Sequence, residues 1–176
     1  MVLAEDQQHQ TFIGRWLRQR GFGHRQIRLL PVVAGRGAGE QDVRERYPQE
    51  VSTHRQRVHR MSCWLVVLID ADLLSTQKRS EQLDQALVAA GLARRAPDES
   101  ICVLLPRRNI ETWIHFFVTG PVDEEADYKR PEKTPDECKQ AADKLADTWP
   151  RESPPVEFPP ALREGWQELK KTFAPT

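Results

Sequence analysis

The sequence has few cysteines, no long apolar run and no net charge, and each absence excludes a class of protein. Three cysteines in 176 residues, without CxxC spacing, support neither a disulfide framework nor a zinc site. The longest apolar run, residues 63–69, is far shorter than the roughly 20 residues of a membrane span. The first residues also lack the charged-then-apolar pattern of a signal peptide. We therefore predict a soluble, cytoplasmic protein.

The net charge is zero because 26 Lys and Arg residues balance 26 Asp and Glu residues, but the charges are unevenly distributed. Residues 1–60 contain 11 Arg against 6 acids, whereas residues 111–176 contain 9 bases against 14 acids. The neutral total argues against an extended basic surface for nucleic acid. The basic N-terminal third indicates an anionic partner on one side. Solvated helix faces of opposite sign explain the same distribution equally well.

Apolar periodicity and turn residues predict strands that alternate with helices. Residues 64–69 form the most apolar and β-branched stretch, which is typical of a central strand covered on both faces. Further strands are predicted over 26–34 and 101–105. Helices are predicted over 11–21, 40–59 with a kink or interruption near Pro48, 80–90, 110–118 with Asn109 as N-cap, 135–148 and 160–173. This order predicts an α/β fold with a small, mostly parallel sheet flanked by helices, whose strands end at one edge.

The sequence changes character at Gly120, after which prolines recur through two helical segments. We therefore divide the chain into two parts. Residues 1–119 form an α/β core with its N-terminal helix. Residues 120–176 form a helical, proline-rich C-terminal extension that packs on this core.

Acidic residues stand at all three predicted junctions between a strand and the next helix. Glu40 follows the first strand, Asp70 and Asp72 the second, and Glu111 the third. Asp70 and Asp72 are two residues apart, so both point to one side if the strand geometry continues. Each acid alone has a local explanation, since carboxylates favour the first turn of a helix. Together they share the edge where open α/β sheets bind ligands, and several carboxylates there favour a hard cation such as Mg²⁺.

Three arginines and a glycine-rich turn lie beside these junctions. Arg36, Arg107 and Arg108 are candidates for binding phosphate, although surface arginines are often only solvated. The turn at residues 35–39 either presents backbone N–H groups to a phosphate or is only a tight turn. It matches neither GxGxxG nor GxxxxGK[ST], which argues against a dinucleotide site and an ATP P-loop. His115 lies outside any HExxH zinc motif and is predicted to be packed or partly buried.

Taken together, these motifs resemble a TOPRIM-type domain. The resemblance rests on the glycine-rich turn with Glu40, the apolar strand that ends in Asp70-x-Asp72, and the later strand that leads into residues 105–113, LPRRNIETW. It covers about residues 26–119. The chain is most similar to small TOPRIM-like proteins, related to the nuclease half of the overcoming-lysogenization-defect (OLD) family, that occur beside ATPases in bacterial anti-phage defence systems. In that family the first acid usually stands at the end of the first strand, whereas Glu40 follows five loop residues.

The resemblance implies phosphodiester cleavage that depends on Mg²⁺ or Mn²⁺. Asp70 and Asp72 would be metal ligands, and Glu111 would be a further ligand or bind a second metal. Glu40 would be a metal ligand or a general acid/base. The leading hypothesis is a nuclease subunit of an anti-phage defence system that acts on DNA, with RNA as the other candidate substrate, and works with an ATPase partner. Its oligomeric state is left open.

Two other functions are weighed against the nuclease. The first is a TOPRIM-like fold kept as a non-catalytic interaction or regulatory subunit, with the acidic, proline-rich C-terminal third as its interface. The second is an acid-phosphatase-like or nucleotidyl-transfer enzyme that uses the same two aspartates. This reading is weaker, because aspartyl phosphatases normally carry Thr or Val two residues after the second Asp, where this sequence has Leu74.

Overall fold

A computed structural model describes residues 1–33 and 38–173 of the chain. Over these residues the chain forms three β-strands: β1 (Val2–Ala4), β2 (Leu65–Leu68) and β3 (Ile101–Leu104). The same ranges contain six α-helices: α1 (Gln7–Gln19), α2 (Ala38–Val58), α3 (Thr76–Ala89), α4 (Ile110–Val118), α5 (Pro135–Asp147) and α6 (Pro160–Phe173). A short 3-10 helix (His24–Gln26) follows α1.

The three strands form one parallel sheet in the order β1-β2-β3. The central strand β2 is buried along its whole length, as its continuous apolar sequence predicts. Ala4 is in register with Leu68, and Leu68 with Leu104, so all three strands end level with one another. The predicted α/β fold, a parallel sheet flanked by helices, is confirmed.

Helices cover both faces of the sheet because alternate strand residues point to opposite sides. Val66 and Leu68 face a large apolar cluster with α1, α4, α5 and α6. Leu65 and Val67 face a smaller cluster with α2 and α3. None of the helices that the structure describes is both long enough and apolar enough to cross a membrane.

The C-terminal helices pack directly on the rest of the chain. Helix α5 lies against α1 and α4, and α6 lies against β3. Gly165 on α6 contacts the ring of Trp113 on α4, where a Cβ atom would lie 2.6 Å from Cη2. Trp149 and Trp166 are also buried in this cluster. The aromatic side chains of this region are therefore packing residues.

The predicted first strand over 26–34 is wrong for the residues that the structure describes. The first strand is Val2–Ala4, and the later segment only runs beside it. Val2 donates to the carbonyl of Arg28 and accepts from the amide of Leu30, which forms a single bridge. Pro31 follows at once and has no N–H with which to extend the ladder.

Helix boundaries follow their capping residues. Helix α1 begins at Gln7, earlier than predicted, because the Asp6 carboxylate caps its first turn. Helix α3 likewise begins at Thr76, after the N-cap Ser75. Helix α2 runs through Pro48 without interruption. The Asn109 cap of α4 and the capping box at the start of α5 are confirmed.

Candidate metal centre

Three side chains meet where β1 and β2 end. Glu5 directly follows β1, Asp70 lies two residues beyond β2, and His9 lies in the first turn of α1. One ligand atom from each of them lies within 4.8 Å of the other two. We call these residues the Glu5 group. Two carboxylates and an imidazole at this spacing could hold a metal ion.

Backbone contacts fix the two carboxylates of the group. The amide of Glu5 donates to the carbonyl of Leu68 at 3.2 Å, which continues the parallel ladder by one residue. The amide of Asp70 donates to Glu5 Oε2 at 3.1 Å. Gly39, in the first turn of α2, packs against Glu5 so closely that a Cβ atom would lie 2.4 Å from its carbonyl oxygen. Only glycine allows α2 to approach the site at this distance.

His9 is fully buried and is held at both ring nitrogens. Its Nδ1 lies 2.7 Å from Asp6 Oδ1, and its Nε2 lies 2.9 Å from Asp70 Oδ1. The same Asp6 oxygen caps α1 by accepting from the amides of Gln8 and His9 at 2.8 and 2.9 Å. The start of α1 thus sets both the position and the orientation of the imidazole.

The pKa values of the group indicate an excess of negative charge. Burial, and next the charge of Asp70, raise the pKa of Glu5 to about 7. Burial lowers the pKa of His9, but the charge of Asp70 and the hydrogen bond with Asp6 together raise it well above its usual value. Burial would raise the pKa of Asp6, yet hydrogen bonds from His9 and Gln8 lower it to about 2. A cation bound between the two carboxylates would therefore stabilise the ionised form of Glu5.

A second set of side chains lies next to the first and contains its own cation. The guanidinium of Arg79, only 4% exposed, pairs with Glu40 Oε1 and lies 3.1 Å from Asp72 Oδ2. Arg44 Nε also approaches Glu40 Oε1, at 2.6 Å. We call Glu40, Asp72 and Arg79 the Arg79 group. The structure does not bring Glu40 into the Glu5 group, and its role as a metal ligand stays a prediction.

Asp70 and Asp72 have different environments. Asp70 is 2% exposed, whereas the side chain of Asp72 is 41% exposed. The extended geometry that would point both to one side does not continue, because Asp72 adopts a left-handed conformation with φ 53°. Burial, and then the charge of Asp70, raise the pKa of Asp72. The two carboxylates therefore interact, but Asp72 turns towards Arg79.

Glu111 and Lys129 also lie near the Glu5 group, one as a further acid and the other as a cation. Glu111 lies in the first turn of α4, and burial, with a smaller contribution from the charge of Asp70, raises its pKa. Lys129 lies on the segment between α4 and α5. The pKa of Lys129 is raised, because burial that lowers it is outweighed by four nearby carboxylates: Asp70, Glu111, Asp72 and Glu5. The acids predicted after β2 and β3 thus converge on the edge that also holds Glu5.

The three predicted phosphate-binding arginines differ in their surroundings. Arg107 forms a two-bonded ion pair with Glu125, at 2.9 and 2.6 Å. Arg108, with φ 64°, lines a pocket of about 190 Å³ together with Asp72 and Lys129. Arg36 lies outside the described residues, as do Gly35 and Gly37 of the glycine-rich turn.

The residues that the sequence analysis missed are Glu5, His9 and Asp6. Their signal is short: an acid at the end of a three-residue strand, then a capping aspartate, then a histidine four residues after the glutamate. His115, predicted to be packed or partly buried, has its Nδ1 3.2 Å from Lys133 Nζ, and its ring contacts Tyr128. All three cysteines are free thiols.

Comparison of the chain with family models, with curated proteins and with solved structures finds no match.

Proposed function

We propose that this chain is a metal-dependent nuclease that hydrolyses phosphodiester bonds of DNA. The observation that supports it is the Glu5 group: three ligand atoms within 4.8 Å, at the edge of a parallel sheet where two further carboxylates, Asp72 and Glu111, lie nearby. The TOPRIM resemblance supports the remaining parts of the proposal, which are an anti-phage defence setting, an ATPase partner, and Mg²⁺ or Mn²⁺ as the cofactor.

The donor set fits a divalent cation. Asp70 lies close enough to disfavour the ionisation of Glu5, and neither residue forms an ion pair with an Arg or Lys of residues 1–33 or 38–173. A cation bound there would polarise the phosphodiester and activate a water molecule. Glu111, whose pKa is raised by burial and by the charge of Asp70, is the candidate for general base or acid.

Two cations beside the group are suited to hold the substrate. Arg108 and Lys129 line the same pocket as Asp72, so a phosphate in this pocket would lie next to the acidic edge. Their positive charges would orient the nucleic-acid backbone and offset charge that develops on the phosphate. With so few cations, binding is expected to be modest and to weaken strongly with salt.

One observation favours the second candidate, a non-catalytic interaction subunit. Arg79 already pairs with both Glu40 and Asp72, so these two carboxylates share a resident counter-ion. If this pairing persists in the working protein, fewer carboxylates are free for metal. The two functions are separated by activity and not by fold.

Supercoiled-plasmid nicking with Mg²⁺ or Mn²⁺ tests the proposal. Asp70→Asn keeps the size and the hydrogen-bonding capacity of the side chain but removes its charge, and we expect it to lower the nicking rate by at least about a hundredfold. Asp136→Asn, at an aspartate whose side chain is 91% exposed, is the matched control and should nick normally. Equal rates for the wild type and Asp70→Asn would refute the nuclease. Absence of nicking even with the ATPase partner present would favour the interaction subunit.

A further inference from the structure

The third member of the Glu5 group is an imidazole, and this limits which cation the site prefers. Mg²⁺ is bound by carboxylates, water and phosphate oxygens, and an imidazole nitrogen is a poor ligand for it. First-row transition-metal dications accept imidazole and carboxylate together. His9 is 0% exposed and its Nε2 lies within hydrogen-bonding distance of Asp70, so its position in the group is fixed by packing and by this contact.

Asp6 gives the imidazole the support that metal-binding histidines have. In metal sites the second ring nitrogen usually donates to a carboxylate or a carbonyl, which fixes the tautomer and the orientation of the ring. Asp6 Oδ1 is that partner, at 2.7 Å from Nδ1. A bound dication would replace the Nε2 proton of the imidazolium, which lies against Asp70. Asp6 would keep the proton on Nδ1, so that the neutral ring would offer the lone pair of Nε2 to the metal.

A buried ion pair alone does not account for this arrangement. An imidazolium between Asp6 and Asp70 would satisfy those two carboxylates, but Glu5 would remain as a further acid against Asp70. Glu5 accepts the backbone amide of Asp70 and pairs with no Arg or Lys in the described part of the chain. Three carboxylates, Asp6, Asp70 and Glu5, thus have one ion-pairing cation among the described residues, the imidazolium of His9.

We propose that Glu5, His9 and Asp70 form a site selective for a transition-metal dication over Mg²⁺, with Asp6 as the residue that positions His9. The inference rests on the proposed function only in using the same site, since it concerns which cation binds and not what is cleaved.

The experiment measures cation binding to the full chain by calorimetry, with Mn²⁺ and Mg²⁺ as probes. We expect Mn²⁺ to bind at least about tenfold more tightly than Mg²⁺. Pulsed electron paramagnetic resonance of bound Mn²⁺ should show coupling to an imidazole nitrogen. His9→Gln should abolish this coupling and most of the preference for Mn²⁺.

Asp6→Asn is a second variant that keeps the helix cap. Asparagine caps helices as well as aspartate does, so α1 should form normally, while the charge that anchors Nδ1 is lost. We expect Mn²⁺ affinity to fall about 10- to 100-fold, and the melting temperature in EDTA to fall as well, because the ion pair with His9 is lost. A purely structural role for Asp6 would lower the melting temperature but leave Mn²⁺ affinity unchanged.

Four outcomes separate this inference from the nuclease proposal. Mn²⁺ binding with nitrogen coupling but no nicking would support the inference and count against the nuclease. Nicking with bound Mn²⁺ that shows no nitrogen coupling would overturn the inference alone. Equal affinity for Mg²⁺ and Mn²⁺ would also overturn it, as would the absence of binding by either cation.

Discussion

Two acidic groups lie side by side at one edge of the sheet, and only one of them contains an arginine. In the Arg79 group, a single buried guanidinium pairs with Glu40 and Asp72. In the Glu5 group, two carboxylates share one imidazole, and the pKa of Glu5 rises to about 7. One group therefore has a buried guanidinium of its own, whereas the other has only an imidazole.

The difference shows how a structural ion pair can be told from a ligand site. Carboxylates that have a buried counter-ion gain stability from their charge, and removing that counter-ion is costly. Buried carboxylates without a counter-ion destabilise the folded state when they are ionised, until a cation binds. Removing the charge of Arg79 and removing the charge of Glu5 should therefore change folding stability in opposite directions.

The largest effect is expected from Arg79→Met. This change keeps most of the side-chain volume but leaves Asp72 without its cation and Glu40 with only the more exposed Arg44. We expect the free energy of unfolding to fall by about 2–4 kcal/mol, less than for a fully buried pair because the Asp72 side chain is 41% exposed. Urea denaturation followed by circular dichroism measures it.

A double variant provides the control for Arg79. Adding Asp72→Asn to Arg79→Met removes the carboxylate that is left unpaired and should recover part of the loss. If the single variant is as stable as the wild type, the Arg79 group is not a structural ion pair and the comparison fails.

A smaller effect is expected from Gly39→Ala, at the contact between α2 and Glu5. The added Cβ would lie 2.4 Å from the Glu5 carbonyl oxygen, so the start of α2 must move away from the end of β1. We expect a loss of about 1–3 kcal/mol in stability, as for other overpacked sites, together with weaker Mn²⁺ binding. Thermal melts with and without Mn²⁺ measure both.

Gly14→Ala is the matched control, because this glycine is also helical and its nearest contact for a Cβ is an ordinary 3.9 Å. Replacing a glycine inside a helix where space exists should raise stability by about 0.5–1 kcal/mol. Similar losses for the two variants would mean that the close approach at Gly39 has no special role.

The smallest effects, of opposite sign, are expected from neutralising one glutamate in each group. At pH 8 in EDTA, Glu5 is ionised although the fold raises its pKa above the unfolded value, so its charge costs stability. Glu5→Gln should therefore stabilise the metal-free protein by about 1–2 kcal/mol. Glu40→Gln should destabilise it by up to about 1 kcal/mol, because a partner of Arg79 is weakened. Two changes of the same sign would contradict the distinction between the groups.

The central part of the fold could be read from the sequence because its signals are local and strong. The apolar stretch of β2, the Asn109 cap of α4 and the capping box of α5 each specify an element without knowledge of its neighbours. The site residues that follow β2 and β3, Asp70 and Glu111, could be named for the same reason.

The start of the chain could not be read in this way. Three residues, Val2–Ala4, are too few to show a periodicity, and they form a strand only because β2 lies beside them. The longer β-branched segment after residue 26 is the better local candidate, yet it finds a single bridge to Val2. If residues 26–34 are taken as the first strand, the first acid after a strand is Glu40, whereas the first strand of the structure is followed by Glu5. His9 was missed with it, because its partners Asp6 and Asp70 meet only in the folded chain.

The contact between Gly165 and Trp113 makes the C-terminal helices part of the support of the site. Trp113 lies two residues after Glu111 on the short helix α4, and α6 closes over its ring at a distance that no other residue at 165 would allow. Any displacement of α6 would therefore change the packing around Trp113, on the same helix as Glu111. The proline-rich C-terminal segment, predicted to pack on the core, thus contacts the helix that carries Glu111.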